Sequence, residues 1–369
     1  VVDHGGEPLI EALSLVAPGT PLRDGLDRIL QAKRGALVVV GDDPVVLSIC
    51  TGGFLLDAEF SPQRLSELAK MDGAIILAAD ASRIARANVH LVPKASIPTS
   101  ETGTRHRTAE RVARSIDVPV VTVSEAMATV TVFRHARKHT LQRTGRLIDR
   151  AAQAISTVQR FKTRFDFALA SLSTLEVEDA VSVRDVVAVL QPGEMVVRFA
   201  EEIDGYLVEL GEDGRLIRMQ MEELEAGLDE ALRLVAMDYA VVPAAGRAAS
   251  GGRAELGRRA EAALGALHSL PYDDLLDPLR VAAALGLGSD PAVLDSSVEA
   301  RGYRMLHRLP RVSDLIIERI VARFDTLPQI MAASLGDLEK VGGVGGAKAR
   351  SVKNGLARLV EASILERYD

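Results

Sequence analysis

Hydrophobic and polar positions follow two rhythms along this chain. Up to about residue 140 the apolar runs are short and rich in β-branched residues, as in 35–40, 45–50, 74–77, 88–92, 118–124 and 129–134. Runs of that length, punctuated by Gly, Pro and Asp, read as strands. Gly41-Asp42-Asp43-Pro44 supplies a turn between the first two. Between the runs, apolar residues recur at helical spacing over 9–17, 22–33 and 63–70, with Thr20-Pro21 and Ser61-Pro62 as helix starts. Residues 93–102, with two prolines, read as a loop, and Ala109, Val112, Ala113 and Ile116 mark one face of a helix after it. Strands and helices alternate irregularly, which predicts a mixed sheet flanked by helices, an α+β or α/β fold.

The second rhythm starts at Leu147. Apolar residues fall at Leu147, Ala151, Ala154, Val158, Phe161, Phe165, Ala168 and Leu172, in alternating steps of four and three. This predicts one helix of about 39 Å, a spine for an all-α region. Its neighbours are expected at 183–190, capped by Ser182 with Asp185 three residues on, and at 194–210, stopped by Gly211. Residues 244–257, rich in Ala, Gly, Ser and Arg, predict a flexible connection, with short helices following to about 294. The tail shows helices at 313–324 and 336–341. Then Gly342-Gly343-Val344-Gly345-Gly346-Ala347-Lys348 turns into a last helix ending near 362. Three domains are expected: 1–140, 141–300 and 301–369.

Composition narrows the choice of class. The 369 residues are 47% hydrophobic, yet the longest apolar runs stop far short of the roughly 18 residues of a membrane span. Val1 to Glu7 lack the layout of a signal peptide, so the expectation is a cytoplasmic protein without a membrane partner. The single cysteine, Cys50, allows no intrachain disulfide, and its strand context predicts a buried small hydrophobe. His135 and His139 have metal-binding spacing for a helix, but no third ligand follows and Arg134, Arg137 and Lys138 would repel a cation. Charge is uneven: residues 141–300 hold 16 basic against 27 acidic side chains, residues 301–369 hold 12 against 8. A basic tail on an acidic chain points to a polyanion met by the tail alone.

Two stretches carry candidate chemistry. Asp72-Gly73-Ala74 puts a carboxylate at the head of a core strand, where packing gives it no reason to be. Thr104, read as a helix N-cap, puts Arg105, His106 and Arg107 in a first turn that ordinarily attracts acidic residues. An anionic ligand resolves that conflict, since helix N-termini and arginine forks both bind phosphate. Arg111 and Arg114 read as the solvated face of the same helix. In the tail, Gly343, Gly345 and Gly346 let backbone amides approach a phosphate, with Lys348 and Lys353 beside them, in a pattern similar to a helix-hairpin-helix. No Gly-Lys-Ser/Thr occurs, so it is not a Walker loop. Leu309-Pro310-Arg311-Val312 reads as a first hairpin without the glycines.

Asp72-Gly73-Ala74, Ala87-Asn88-Val89-His90-Leu91-Val92-Pro93 and Glu101-Thr102-Gly103-Thr104-Arg105-His106-Arg107-Thr108-Ala109-Glu110-Arg111 together resemble the diadenylate cyclase family. The whole chain is similar to the bacterial members of that family that scan DNA. The resemblance implies condensation of two ATP into cyclic di-AMP with release of two pyrophosphates. It makes Asp72 a ligand of Mg²⁺ or Mn²⁺ that helps take the 3′-hydroxyl proton, and places Arg105, His106 and Arg107, with Gly103, Thr104 and Thr108, around the triphosphate. Gly73 then leaves room for the ribose, Leu91 meets the adenine through its backbone, and Ala74 and Ser124 also line the ATP site. The resemblance further implies cyclase domains paired face to face in an octamer. It implies a tail that binds branched DNA such as Holliday junctions, which lowers cyclase activity and ties the protein to the nucleoid. The alternatives are a DNA-repair scaffold whose N-terminal domain only binds nucleotide, and a phosphate-binding regulator without chemistry.

Overall fold

Three times in the first seventy residues a Thr, Asp or Ser stands directly before a proline, and each time a helix starts there. Thr20 Oγ1 accepts the Arg23 N–H at 3.2 Å, Asp43 Oδ1 those of Val45 and Val46 at 2.9 Å, and Ser61 Oγ that of Arg64 at 3.2 Å. Each proline takes a first-turn position, where its missing N–H costs nothing. The computed structural model describes residues 6–241 and 253–365, in two units: 1–155 with 201–220, and 156–200 with 221–369.

The first unit runs α1 (Gly6–Leu15), α2 (Pro21–Gln31), β1 (Ala36–Val40), α3 (Pro44–Ser48), β2 (Cys50–Thr51), β3 (Phe54–Glu59), α4 (Pro62–Leu68), β4 (Ala74–Leu77), β5 (Arg83–Leu91), α5 (Thr104–Ser115), β6 (Val120–Ser124), β7 (Thr129–Arg134) and β8 (Arg137–Thr140). One sheet has the order β2-β5-β4-β1-β6-β7-β8, and β3 also pairs with β5. β1 and β4 are parallel and the other pairs antiparallel, so the sheet is mixed, as the pattern predicts. Alternate residues of β1 serve opposite faces. Val38 and Val40 join Leu26 of α2 and Leu65 of α4 in one core, while Leu37 and Val39 join Val112 and Ala113 of α5 in another. A strand covered on both sides reads as an unbroken apolar run.

The departures have local causes. Residues 45–50 are not a strand: Asp43 and Pro44 cap a short helix that absorbs Val45 to Ser48, and only Cys50 and Thr51 pair with β5. Cys50 is half-buried, not buried; its thiol donates to the Val46 carbonyl at 3.2 Å, and burial pushes its pKa up. β5 starts at Arg83, five residues before the run at Asn88, because residues 83–87 pair with β3 and β4; Arg83 also meets Asp42 and Asp57 at 2.5 Å. β3 has only the short, exposed apolar run Phe54 to Leu56, and the polar β8 has none to announce it. His135 and His139 lie in the β7–β8 hairpin, not on a helix. His135 meets Asp117 at 3.1 Å and His139 meets Glu209 at 2.8 Å.

Helices make up the rest: α6 (Thr144–Glu178), α7 (Val183–Leu210), α8 (Arg215–Glu225), α9 (Leu228–Tyr239), α10 (Arg253–His268), α11 (Tyr272–Leu275), α12 (Pro278–Ala284), α13 (Tyr303–His307), α14 (Asp314–Phe324), α15 (Leu327–Ala332), α16 (Leu335–Glu339) and α17 (Gly346–Leu365). Leu147, Ala151, Val158, Phe165 and Leu172 are all buried, so the seam of α6 is a packed one. The two helices expected at 183–190 and 194–210 are one, α7, with Pro192 inside it. Proline costs a helix a hydrogen bond. Here Leu190, Met195 and Val196 are buried around it, and a Cβ on Gly193 would stand 2.5 Å from Leu232 Cδ2, so packing holds the helix through the break. The expected cap is present, with the Ser182 N–H donating to Asp185 Oδ2 at 2.9 Å. Of the connection expected at 244–257, residues 244–252 lie outside the described residues, and Arg253 already opens α10. α13 and α15 are additional to the expected tail helices.

A buried charge cluster joins α6, α9 and α13. Asp238, 1% exposed, accepts the backbone N–H groups of Gly302 and Tyr303 on Oδ1 and of Arg304 on Oδ2, at 2.7 to 2.9 Å. Arg304 in turn pairs with the buried Glu176, which also takes the Tyr239 hydroxyl at 2.6 Å. Burial, and then the Glu176 charge, push the Asp238 carboxyl up from 3.8 to about 7. The folded state therefore holds this proton over a pH range where the unfolded chain has released it, so Asp238 makes stability fall as pH rises from about 4 to about 7. Asp238→Asn turns an amide NH₂ toward the Arg304 N–H. It should cost about 1–3 kcal/mol at neutral pH and flatten that slope, as read by thermal melts at several pH values.

Candidate active site

One end of the sheet gathers the N-terminal ends of the parallel pair and the C-terminal ends of their neighbours. The register Leu37↔Ala74 sets Asp72 level with Gly35, and Ala36↔Val123 carries Ser124 to the same Gly35 from the other side. Arg105 reaches this end from the first turn of α5: its Nη2 lies 2.7 Å from Asp72 Oδ1. A Cβ on Gly35 would stand 2.7 Å from Arg105 Nη1, so glycine there leaves the guanidinium its space. Thus the two motifs, 33 residues apart, form one ion pair beside Gly35, a residue the sequence reading passed over. The Asp72 side chain is 93% exposed and that of Arg105 42%, so the pair faces solvent on an open shelf.

The N-cap of α5 is Gly103, not Thr104. Gly103 is extended at φ −75° and ψ 143°, its carbonyl accepts the Arg107 N–H at 2.8 Å, and no side chain caps the first turn. The free amides at this terminus keep their affinity for an anion. The basic side chains diverge. The His106 ring meets Phe133 edge-on at 6.2 Å, and Arg107 Nη2 donates to the Thr102 carbonyl at 2.9 Å. Thr108 is half-buried in the next turn. Arg111 is half-buried and donates to the Ile97 carbonyl at 3.0 Å, so it is not on a solvated face; Arg114 is exposed as expected, though its guanidinium donates to the Pro98 carbonyl at 3.1 Å.

Gly73 answers to the protein itself. A Cβ there would fall 2.6 Å from Asn88 Cα and C, where the β4–β5 register shifts and Asn88 takes φ +53°. Such bulges bend a strand beside functional sites. The space that the missing Cβ of Gly73 leaves is thus taken by Asn88. Ala74 is buried beside Val89. Val92 N–H donates to the Ile49 carbonyl at 2.8 Å, which makes Leu91 and Cys50 a non-hydrogen-bonded pair and turns the Leu91 N–H and C=O away from β2, to the β4 side. Ser124 Oγ accepts the Met127 N–H at 3.3 Å.

The tail residues lie in the second unit. Gly343, at φ +86°, and Gly345 form the turn before α17, which Gly346 opens. Lys348 Nζ donates to the Gly343 carbonyl at 3.3 Å. Lys353 is occupied elsewhere, donating to the Met331 and Ala333 carbonyls at 2.7 Å, where it closes the C-terminal end of α15. Arg319 of α14 stands in its place: Nη1 donates to the Gly342 carbonyl at 2.6 Å and covers Gly343.

Residues 23–138 match the family described as DisA bacterial checkpoint controller nucleotide-binding, and residues 141–294 match the DisA bacterial checkpoint controller linker region. The sheet and its site therefore define a diadenylate cyclase, a nucleotidyltransferase that takes ATP. The likeness extends over the whole chain. It is 48% identical to the DNA integrity scanning protein DisA of Frankia alni over 98% of both chains, and 50% identical to that of Kineococcus radiotolerans over 98% of both. To the Streptomyces avermitilis protein it is 49% identical, over 99% of this chain and 95% of that one. The chain belongs to the DisA family. Among solved structures, DacA from Staphylococcus aureus matches 36% of this chain and 86% of its own, at 24% identity and a TM-score of 0.28.

The two glycines at this end should fail differently. Gly73→Ala drives a methyl into Asn88 backbone that cannot move aside, so both melting temperature and cyclic di-AMP synthesis should fall. Gly35→Ala displaces only the far end of Arg105 and asks a few tenths of an ångström of the Val123 carbonyl. It should change stability by no more than about 1 kcal/mol while weakening ATP binding, as measured by titration calorimetry.

Proposed function

We propose that Asp72 and the first turn of α5 carry the cyclase chemistry, and that the α16–α17 turn carries DNA sensing. The observation that supports the first part is the Asp72–Arg105 pair, which puts the only carboxylate of the motif against a cationic helix start. Each 3′-hydroxyl oxygen attacks the other nucleotide's α-phosphorus, pyrophosphate leaves, and the hydroxyl proton goes to Asp72. Arg105, His106, Arg107 and the free amides of α5, with Thr104 and Thr108 hydroxyls beside them, hold the triphosphate and take up the charge on the leaving pyrophosphate. Among the described residues no three His, Cys, Asp or Glu gather, and the exposed Asp72 carboxylate is a donor at this end. That donor fits Mg²⁺ or Mn²⁺, which accept a carboxylate together with substrate phosphates and water, and such an ion would neutralise charge on the phosphates.

One domain presents one such end, and the product has two phosphodiester bonds. Two cyclase domains facing each other, within the octamer the resemblance implies, would supply both. Asp72→Asn keeps the shape and removes the charge. Cyclic di-AMP, read by mass spectrometry with Mn²⁺ present, should fall below detection while ATP still binds; normal turnover would revive the scaffold that only binds nucleotide.

For the tail, Gly343, Gly345, Gly346, Lys348 and Arg319 form a phosphate-reading turn of the helix-hairpin-helix kind, recognising branched DNA such as a Holliday junction by shape. Lys353, committed to α15, is left out of it. Arg319→Ala combined with Lys348→Ala should weaken junction binding and reduce its salt dependence by about two phosphate contacts, each with a slope near 0.9 in log–log form. The same variant should relieve the slowing of cyclic di-AMP synthesis by junction DNA. Undiminished slowing would mean that DNA acts elsewhere.

A further inference from the structure

The segment 97–102 leads directly into the cap of α5, and side chains hold it nearly residue by residue. At its centre is Glu110, on the second turn of α5 and only 5% exposed. Glu110 Oε2 accepts the Thr99 hydroxyl at 2.5 Å and the Ser100 N–H at 2.9 Å, while Arg114 pairs with Oε1 at 2.8 Å. Around it Arg111 and Arg114 take the Ile97 and Pro98 carbonyls, Arg107 takes that of Thr102, and Lys138 pairs with Glu101 at 2.6 Å. Burial alone would raise the Glu110 pKa. The hydrogen bonds from Thr99 and Ser100 and the Arg114 charge outweigh it and hold the carboxyl below its ordinary value.

Nothing in the packing of α5 asks for a carboxylate here. The helix buries Ala109, Val112 and Ala113 against the sheet, and a charge taken out of water needs a compensating purpose. What Glu110 fixes is the path by which the chain enters Gly103, the residue whose carbonyl starts the helix. That path sets where Arg105 and Arg107 stand relative to Asp72.

We infer that Glu110 is a positioning residue for nucleotidyl transfer, a buried latch that holds 97–102 against α5 so that its first turn is set for the triphosphate. The inference rests on the reading of Arg105 and Arg107 as triphosphate ligands. Its signature is a split between binding and turnover, because a looser segment weakens the ground-state grip on ATP without removing a group from the reaction.

Glu110→Gln in the full-length protein is the test. KM for ATP should rise about tenfold or more, the scale of one lost hydrogen bond to a charged group, with kcat changed by less than about threefold. An unchanged KM, even with a lower melting temperature, would make Glu110 a purely structural residue and overturn the proposal. Should Glu110→Gln fail to fold, Thr99→Val removes the hydroxyl that donates to Glu110 and accepts the Glu101 N–H, and keeps the Glu110–Arg114 pair; a KM increase in that variant supports the latch and an unchanged KM overturns it. Arg105→Ala with Arg107→Ala is measured alongside. Unchanged KM in that pair, with a raised KM in Glu110→Gln, would reject the triphosphate reading and leave Glu110 acting on another part of the site.

Discussion

The ion pair between Asp72 and Arg105 is the constraint to which the N-terminal unit answers. Both side chains face water, where such a pair contributes only about 0–1 kcal/mol to folding, so stability does not explain it. It is a statement of position. The parallel register of β1 and β4 brings Asp72 level with Gly35, the absence of a Cβ on Gly35 leaves space for a guanidinium, and α5 lies on the sheet so that Arg105 fills that space. The two apolar cores lie on opposite faces of the sheet, and the segment ahead of α5 is hydrogen-bonded to Glu110, Arg111 and Arg114. The energy that keeps the pair in place comes from the apolar cores and not from the pair itself.

Much of the candidate site was legible because it breaks local rules in contiguous residues. Functional positions are where such violations are expected. Asp72 at the head of a buried strand and three basic residues at a helix start are both locally unfavourable, and both are visible without a fold. What was not legible depended on partners distant in sequence. Gly35 looks like an ordinary strand entry until Arg105 is laid over it, and Glu110 looks like a helix surface residue until Thr99 and Ser100 fold back onto it. The error at 45–50 has the opposite origin, since Asp43 and Pro44 cap a helix that apolar composition disguises as a strand. Pro192 misled because tertiary burial carries α7 through a residue that ends most helices.

The second unit shows charge used as structure. Glu176, Asp238 and Arg304 are buried among α6, α9 and α13, and the Asp238 carboxylate gathers three backbone amides. A buried ion pair is a costly way to gain stability, but removing one partner strands the other, so the arrangement tolerates little change. The same economy appears at the tail, where Lys353 serves the end of α15 and Arg319 stands over the glycine turn. Proximity in sequence to the glycines suggested the first; only the fold reveals the second.

The central claim is that Asp72 and Arg105 act as one unit. A double-mutant cycle on kcat/KM for cyclic di-AMP synthesis, using Asp72→Asn, Arg105→Ala and the double variant in the full-length protein, tests it directly. If the pair is a unit, the double variant should lose little more than the worse single variant. Losses that multiply, as for two residues acting independently, would contradict it.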